Sequence, residues 1–469
     1  MKRMMSRRSV NFWLVPPGVA AILLLSLPAC NKPSNEGDSN AGASKAATVT
    51  PAAAVDLTVQ VAGDVDLAEG VRLLRGEWKA RTGGELKVDS VSLEEFLADE
   101  NPVGDVVIFP SRLLGTLVQR GDLRPLRPAT LNDPALGLND IYPAIRTGEM
   151  RYGGQTMAFP LGSPPLFRFQ QLAGSRGAEV PPAIVPTDGR AAAFVLILRA
   201  LGYTESYRRN EALFDATDMA PRIAEPQFVR ALRELTGESE PRRDMPPVGI
   251  AEGMQLVCSG EASSTLGWPG AIDEKFAAAA GAAPRDVEFT ALEPQHDVYS
   301  QSRGTWEHQT NPASVVLLGV EGRLAGVSKS TRNAVAAFQL AQWLTSGDVA
   351  AGLSSRSTGT LWYRASQAGA SSRWLKGLTI AKGGESVTKV VAAELTTDAP
   401  VLIPRIPAID EYLDALSEAV RTAPANEVAA KEALVAAASK WDAITDRLGR
   451  VKQAEAYRRH LGLDDLTGK

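Results

Sequence analysis

Residues 104–126 read GDVVIFPSRLLGTLVQRGDLRPL. The stretch 106–109 is continuously apolar rather than alternating, the pattern of a parallel strand covered on both faces. It leaves through Pro110-Ser111, and a short helix is expected over 112–120. Upstream, VDLTVQVAGD (55–64) is a β-branched apolar run ending in Gly63-Asp64, a strand with its exit turn. Val71, Leu74 and Trp78 follow at helical spacing until Gly83-Gly84, and ELKVDSVS (85–92) alternates as another strand. Strand, helix, strand, short helix, strand, helix is the rhythm of an open α/β sheet. Ligands of such sheets collect at the carboxyl ends of the strands, which nominates Asp64 and Ser111.

Further along, RYGGQTMAFPLGSPPLFRF (151–169) predicts a hairpin around Gly153-Gly154 and a strand that leaves through 162–165. Two successive prolines cannot lie inside a central strand, so the chain crosses to another lobe there. Helices are expected over 191–201, from Pro226 onward, over 332–344, and near 408–422 and 426–447. Residues 252–271 read as a helix, a Gly260 cap, a short strand and an aromatic turn around Trp268.

The amino end carries Lys2, Arg3, Arg7 and Arg8, then an apolar run over 19–27. That run is too short to span a bilayer, which needs about 20 apolar residues; it has the layout of a secretory signal. Its end, Leu27-Pro28-Ala29-Cys30, resembles the bacterial lipobox, in which the cysteine is lipidated and becomes the first residue. Residues 31–54 lack aromatic residues, leucine and isoleucine, and read as a tether. The expected layout is signal 1–29, lipidated Cys30 with tether 30–55, and a folded body thereafter. This places the protein in the cell envelope, anchored by lipid alone and facing the periplasm or exterior. The other cysteine, Cys258, has no partner within the chain, so no internal disulfide supports the fold.

The chain has 50 basic and 54 acidic side chains, and without residues 1–29 the balance is 46 to 54. A mildly acidic chain without basic clusters is a poor candidate for nucleic acid. The three histidines, His296, His308 and His460, are far apart, and no Cys–His cluster offers a metal site. GxSxG, P-loop and GxGxxG motifs are absent, so neither a nucleophile elbow nor a nucleotide cofactor is indicated. Carboxylates are plentiful, and a glycan-active enzyme needs only a suitably spaced pair.

Taken together, GEWKARTGGELKV (76–88), residues 104–126, GEMRYGGQTMAFPLGSPPLF (148–167), CSGEASSTLGWPG (258–270) and RIPAIDEYLDALSEAV (405–420) resemble the extracellular solute-binding proteins of the sugar-transport type. ATDMAPRIAEPQFVRALREL (216–235) and residues 315–345 add to the resemblance, and all seven stand in the family's order. The resemblance implies an α/β, two-lobed periplasmic-binding-protein-like fold of type II. Lobe one takes 56–162 plus 268–345, and lobe two takes 163–267 plus 346–469. Crossings then fall near 162–165, 265–268 and 346–347.

It also implies a monomeric, non-enzymatic protein without a cofactor or metal. Such a protein captures a sugar or oligosaccharide between its lobes for ABC permease subunits. A sugar site combines aromatic plates with hydrogen-bonding groups. Trp268 is a plate or a core tryptophan, and the loop 354–367 offers Thr358, Trp362, Tyr363 and Arg364. Trp306 and Glu307 are weaker candidates. The segment before residue 191 is short for the family, and Phe167 and Phe169 stand where tyrosines are common, so lobe two is expected to be trimmed. An alternative keeps the fold but drops transport, leaving a sensor or a protein-interaction module.

Overall fold

The computed structural model describes residues 54–99, 103–172, 180–239, 246–272, 286–376, 378–380 and 383–464, all within the unit Ala53–Lys469. The expected signal, Cys30 and all of the tether except Ala54 and Val55 lie outside the described residues.

The apolar run quoted first forms the strand Val106–Pro110, with all of its residues buried. It pairs in parallel with Leu57–Ala62, which in turn pairs in parallel with Leu86–Val91. On its other side lies Arg323–Ser328, running antiparallel, and this late strand also pairs with Leu123–Arg124 and Phe159–Gly162. Together they make a six-stranded sheet. Both faces of Val106–Pro110 are covered, which is why this strand reads as an unbroken apolar run. Leu67, Val71, Leu340 and Leu344 pack with Val59, Val61, Val106 and Ile108 in one cluster. Val107 and Phe109 join Leu113, Leu114 and Leu117 in the other. The helical pattern after the first strand is split. Val65–Leu73 closes on Leu74, and Arg75–Thr82 begins anew and ends at Gly83, whose φ of 78° suits a residue without a Cβ.

A second sheet has three antiparallel strands, with Phe167–Gln171 between Val287–Thr290 and Ser264–Gly267. Phe167 and Phe169 point into its core and pack against Phe289, so neither is placed to meet a solute. The helices Ala191–Gly202, Pro226–Ser239, Ile409–Thr422 and Glu427–Leu448 pack on one another beside it. Their centre is aromatic: Phe214 stacks on Trp441 at 4.6 Å, and Tyr412 and Tyr457 meet it edge-on.

Two parts of the expected lobe division differ in the structure. Residues 287–290 were grouped with lobe one, but the open edge of Phe167–Gln171 pairs with them and draws them into the second sheet. Residues 347–354 were grouped with lobe two, but Leu353 packs with Leu67 and Val71 of the first sheet's cover. The last crossing therefore comes later than 346–347, close to Gly162. A Cβ on Gly162, whose φ is 112°, would lie 2.0 Å from the carbonyl oxygen of Leu361. The two crossing segments touch backbone to backbone, and only glycine fits there.

Candidate functional site

Where the crossings meet, the two sheets leave a cleft of about 310 Å³. From the side of the first sheet come Val320, Glu321 and Arg323, at the start of the inserted antiparallel strand. Opposite them the helices Ala191–Gly202 and Ile250–Ser259 present their amino ends, preceded by Arg190 and Gly249. The Ser417 hydroxyl accepts from the Ala193 N–H in the first turn of Ala191–Gly202, whereas no side chain among the described residues accepts from the first turn of Ile250–Ser259. Helix amino ends carry unmade N–H donors and partial positive charge, so the cleft offers oxygen-seeking groups from its backbone alone.

The cleft wall also carries Trp268 and Phe194. Trp268 is 5% exposed, and its indole N–H donates to the carbonyl of Thr358 at 2.8 Å, tying the second crossing to the third. Its body is packed as a core tryptophan's is, and one part borders the cleft. Thr358 is exposed on the same wall.

Charge in the cleft is arranged in two linked groups. Arg323 donates to Asp64 at 2.9 Å and to Glu321 at 3.0 Å. Asp64 also caps the helix Val65–Leu73 by accepting from the Leu67 N–H, and it accepts from the Ser357 hydroxyl. Asp64 therefore sits where the sheet rule places it, at a strand's carboxyl end, but behind Arg323, and Arg323 lines the cleft. The second group is Arg190, paired with Asp414 at 2.7 Å and with Asp410 at 3.1 Å. Burial works against the Arg190 charge, but Asp414, Asp410 and Glu321 outweigh it and hold the guanidinium above its ordinary value. Asp410 also takes Arg112 at 2.7 Å, so one carboxylate joins the turn after Val106–Pro110 to the helical side.

Ser111 is buried under the cleft loop, its N–H donating to the Gly322 carbonyl. Near it lie Ser163 and Glu149. Burial pushes the Glu149 carboxyl up to about 7, with Ser163, Ser111 and Arg405 acting weakly the other way. The Ser163 hydroxyl is committed to the Glu321 carbonyl, and neither Glu149 carboxylate oxygen has a hydrogen-bond partner among the described residues, so desolvation prevails.

The other expected residues are not brought to the cleft. Trp362 and Tyr363 are fully buried. Trp362 packs edge-on against Trp374, while the Tyr363 hydroxyl and the Arg364 guanidinium both donate to the Thr345 carbonyl at 2.8 Å. These three residues pin the third crossing and offer no surface to a solute. Trp306 and Glu307 lie on the hairpin of Asp297–Ser300 and Thr305–His308, where Trp306 packs with Tyr203, Tyr299 and Arg230. Arg190, Glu321 and Arg323 were not singled out from the sequence. The one available signal for the last two was VEGRLAG, a turn glycine between charged residues at the start of an apolar run.

No protein-family model matches the chain, and no curated protein sequence matches it. Solved structures do. An ABC transporter solute-binding protein from Agrobacterium radiobacter K84, in complex with ribitol, superposes with a TM-score of 0.58 at 17% identity, covering 83% of this chain and 98% of that one. A cyclo/maltodextrin-binding protein complexed with maltotetraose gives 0.58 at 17% identity, with 84% and 98% covered. Maltose-bound MalE3 of T. maritima gives 0.57 at 14% identity, with 83% and 100% covered. The chain has the α/β, two-lobed fold of the periplasmic solute-binding proteins.

Proposed function

We propose that the protein captures a small sugar or polyol in this cleft, tethered to a membrane through a lipidated Cys30, and hands it to an ABC importer. The observation that carries the reading is the cleft itself, at the meeting of three crossings in this fold. It is lined by one aromatic plate, paired guanidinium and carboxylate groups, and two helix amino ends. A polyol presents hydroxyls that both donate and accept, and a mixed lining of this kind can satisfy both. The superposed proteins were solved with ribitol, maltotetraose and maltose. A volume of about 310 Å³ is at the small end for ligand sites, which favours a pentitol or a short sugar over a longer oligosaccharide. The work is done by differential affinity for open and closed forms, without covalent chemistry.

A panel of polyols, monosaccharides and short oligosaccharides, scanned by thermal unfolding, tests the proposal. A ligand at about a hundred times its dissociation constant adds about 2.7 kcal/mol of stability. One class of compound is expected to raise the midpoint without being turned over. Trp268→Ala is expected to weaken that ligand about tenfold or more, through lost apolar contact. Trp362→Phe is expected to leave the affinity unchanged. No shift across the panel, or equal effects of the two variants, would sink the assignment. For the anchor, Cys30→Ser is expected to move the protein from the membrane fraction to the soluble one, and an unchanged distribution would count against lipidation.

One observation favours a second reading, a sensor or protein-contact module. The carboxyl-terminal helix Arg450–Leu461 ties itself to the first sheet's surroundings. Tyr152 donates to the Ala456 carbonyl at 2.9 Å, and Arg459 donates to Gln119 at 2.9 Å. With Arg112–Asp410 this restrains opening, which suits a protein that reports more than one that releases. A silent panel would leave this reading standing.

A further inference from the structure

Away from the cleft, and sharing no lining residue with it, lies a cavity of about 410 Å³. It forms where the hairpin of Arg151–Tyr152 and Gln155–Thr156 meets the end of the helix Arg450–Leu461 and the chain around Arg405. Arg405 is its floor. Arg405 is 3% exposed and makes no ion pair among the described residues. Its Nη1 donates to the carbonyls of Glu149 at 3.0 Å and Gly148 at 3.3 Å, and its Nε points to Nδ1 of His460 at 3.3 Å. Nη2 donates to no described residue.

Arg459 stands on the wall. One of its terminal nitrogens reaches the side-chain oxygen of Gln119, while its buried Nε has no hydrogen-bond partner. Arg151 is exposed at the rim and, among the described residues, donates only to the Gly154 carbonyl. Three guanidinium groups therefore border one cavity without a carboxylate partner among the described residues. The only acid on the lining is Asp398, exposed at the edge. Glu149, the buried acid beside Arg405, meets it through its backbone carbonyl and not its carboxylate.

A buried cation normally has a counter-charge, since leaving water uncompensated costs several kcal/mol. Here the protein supplies carbonyl dipoles, the face of the Tyr152 ring at 5.7 Å and a neutral imidazole instead: burial, with the Arg405 charge, holds His460 well below its ordinary value. The helix end does not fill the role either, because the Arg459 carbonyl is already taken by the Gly153 N–H and the Arg458 carbonyl by Gly462 or Leu463. The missing group is an acceptor with at least two oxygens, placed to reach Nη2 of Arg405 together with Arg459 and Arg151. Arginine forks suit such oxyanions because they donate in parallel pairs.

We propose that this cavity is a second ligand site, which binds a small multivalent oxyanion of the phosphate or carboxylate class between Arg405, Arg459 and Arg151. Its occupant bridges the hairpin beside the first sheet to the carboxyl-terminal helix.

The test uses the full-length chain and three probes, inorganic phosphate, sulfate and citrate, titrated at constant ionic strength against chloride. A saturable rise in the unfolding midpoint is expected for at least one, and the probe that acts tells tetrahedral anions from carboxylates. In Arg151→Ala/Arg459→Gln the apparent dissociation constant for that probe should rise at least tenfold. Arg151 is exposed and Arg459 half-buried, so this variant disturbs the interior less than Arg405→Gln would. Isothermal titration of the same pair checks the affinities directly. No saturable response to any probe up to tens of millimolar, or one equal in the two proteins, overturns the assignment.

Discussion

Replacing Arg323 by methionine is expected to lower the stability of the protein by about 3–5 kcal/mol, the cost of stranding a buried charge. Arg323 and Asp64 are both nearly inaccessible, with side-chain exposures of 9% and 8%. Burial alone would pull the guanidinium down, but Glu321 and Asp64 outweigh it and raise it above its ordinary value. Without Arg323, Asp64 keeps the Leu67 N–H and the Ser357 hydroxyl but loses its cation. Glu321 is 32% exposed and can turn to water, so Asp64 bears most of the cost. Asp64→Asn in the same background keeps an N-cap oxygen and removes the charge. The double variant should recover about 1–2 kcal/mol. Urea unfolding at pH 7 measures all three proteins. A loss below about 1 kcal/mol for Arg323→Met would show that water reaches the pair and that it is effectively a surface bridge.

That pair also shows which parts of the site could be read from sequence. Val106–Pro110 is a continuous apolar run because both of its faces are buried, while Leu86–Val91 at the sheet's edge alternates, and both patterns are local and can be read in the chain. Asp64 followed from the same rule, because a strand's carboxyl end faces the cleft. Arg323 did not, because its strand lies over 200 residues later and its partner is set by pairing with Val106–Pro110, which no local pattern encodes. The error at Trp362, Tyr363 and Arg364 has a different cause. An aromatic, a hydroxyl and a guanidinium side by side describe a sugar site, and they equally describe a chain crossing whose carbonyls need donors. Thr345 presents one such carbonyl, and both Tyr363 and Arg364 are used on it. Composition alone cannot separate the two, whereas burial does. The division at 287–290 failed for a related reason: a four-residue strand goes to whichever sheet has an open edge within reach.

The same loop that carries Arg323 lies over Glu149, and there the expected result is a stability curve with an unusual sign. Most carboxylates in folded proteins stabilise the native state as they ionise. Glu149 does the opposite, since its carboxyl is raised from 4.5 to about 7 by burial. The folded protein then holds this proton more tightly than the unfolded chain. Its contribution is fully present below about pH 4.5 and is lost as pH rises toward 7, amounting to about 3 kcal/mol. His460 works in the other direction, because its lowered value favours folding above its ordinary 6.5 and that gain disappears as pH falls. The total curve mixes both groups, so the informative quantity is a difference. Glu149→Gln keeps the shape and removes the titration. Its stability relative to the parent should be near zero or slightly negative at pH 4.5. It should climb through pH 5–7 and level off with the variant about 3 kcal/mol more stable at pH 8. His460 contributes equally to both proteins and cancels. Parallel curves would mean that the Glu149 carboxyl is not raised in the folded protein and that burial does not control it. One short chain of contacts joins the surroundings of Glu149 to the cleft: Ser163 donates to the Glu321 carbonyl and the Ser111 N–H to that of Gly322. Gly322 has no room for a side chain between the Ser163 and Ser111 hydroxyls, at 2.6 and 3.1 Å from where its Cβ would stand. Any shift of the Glu321–Arg323 loop toward a bound solute moves the carbonyls above Ser111 and Ser163, and with them the groups around this carboxyl.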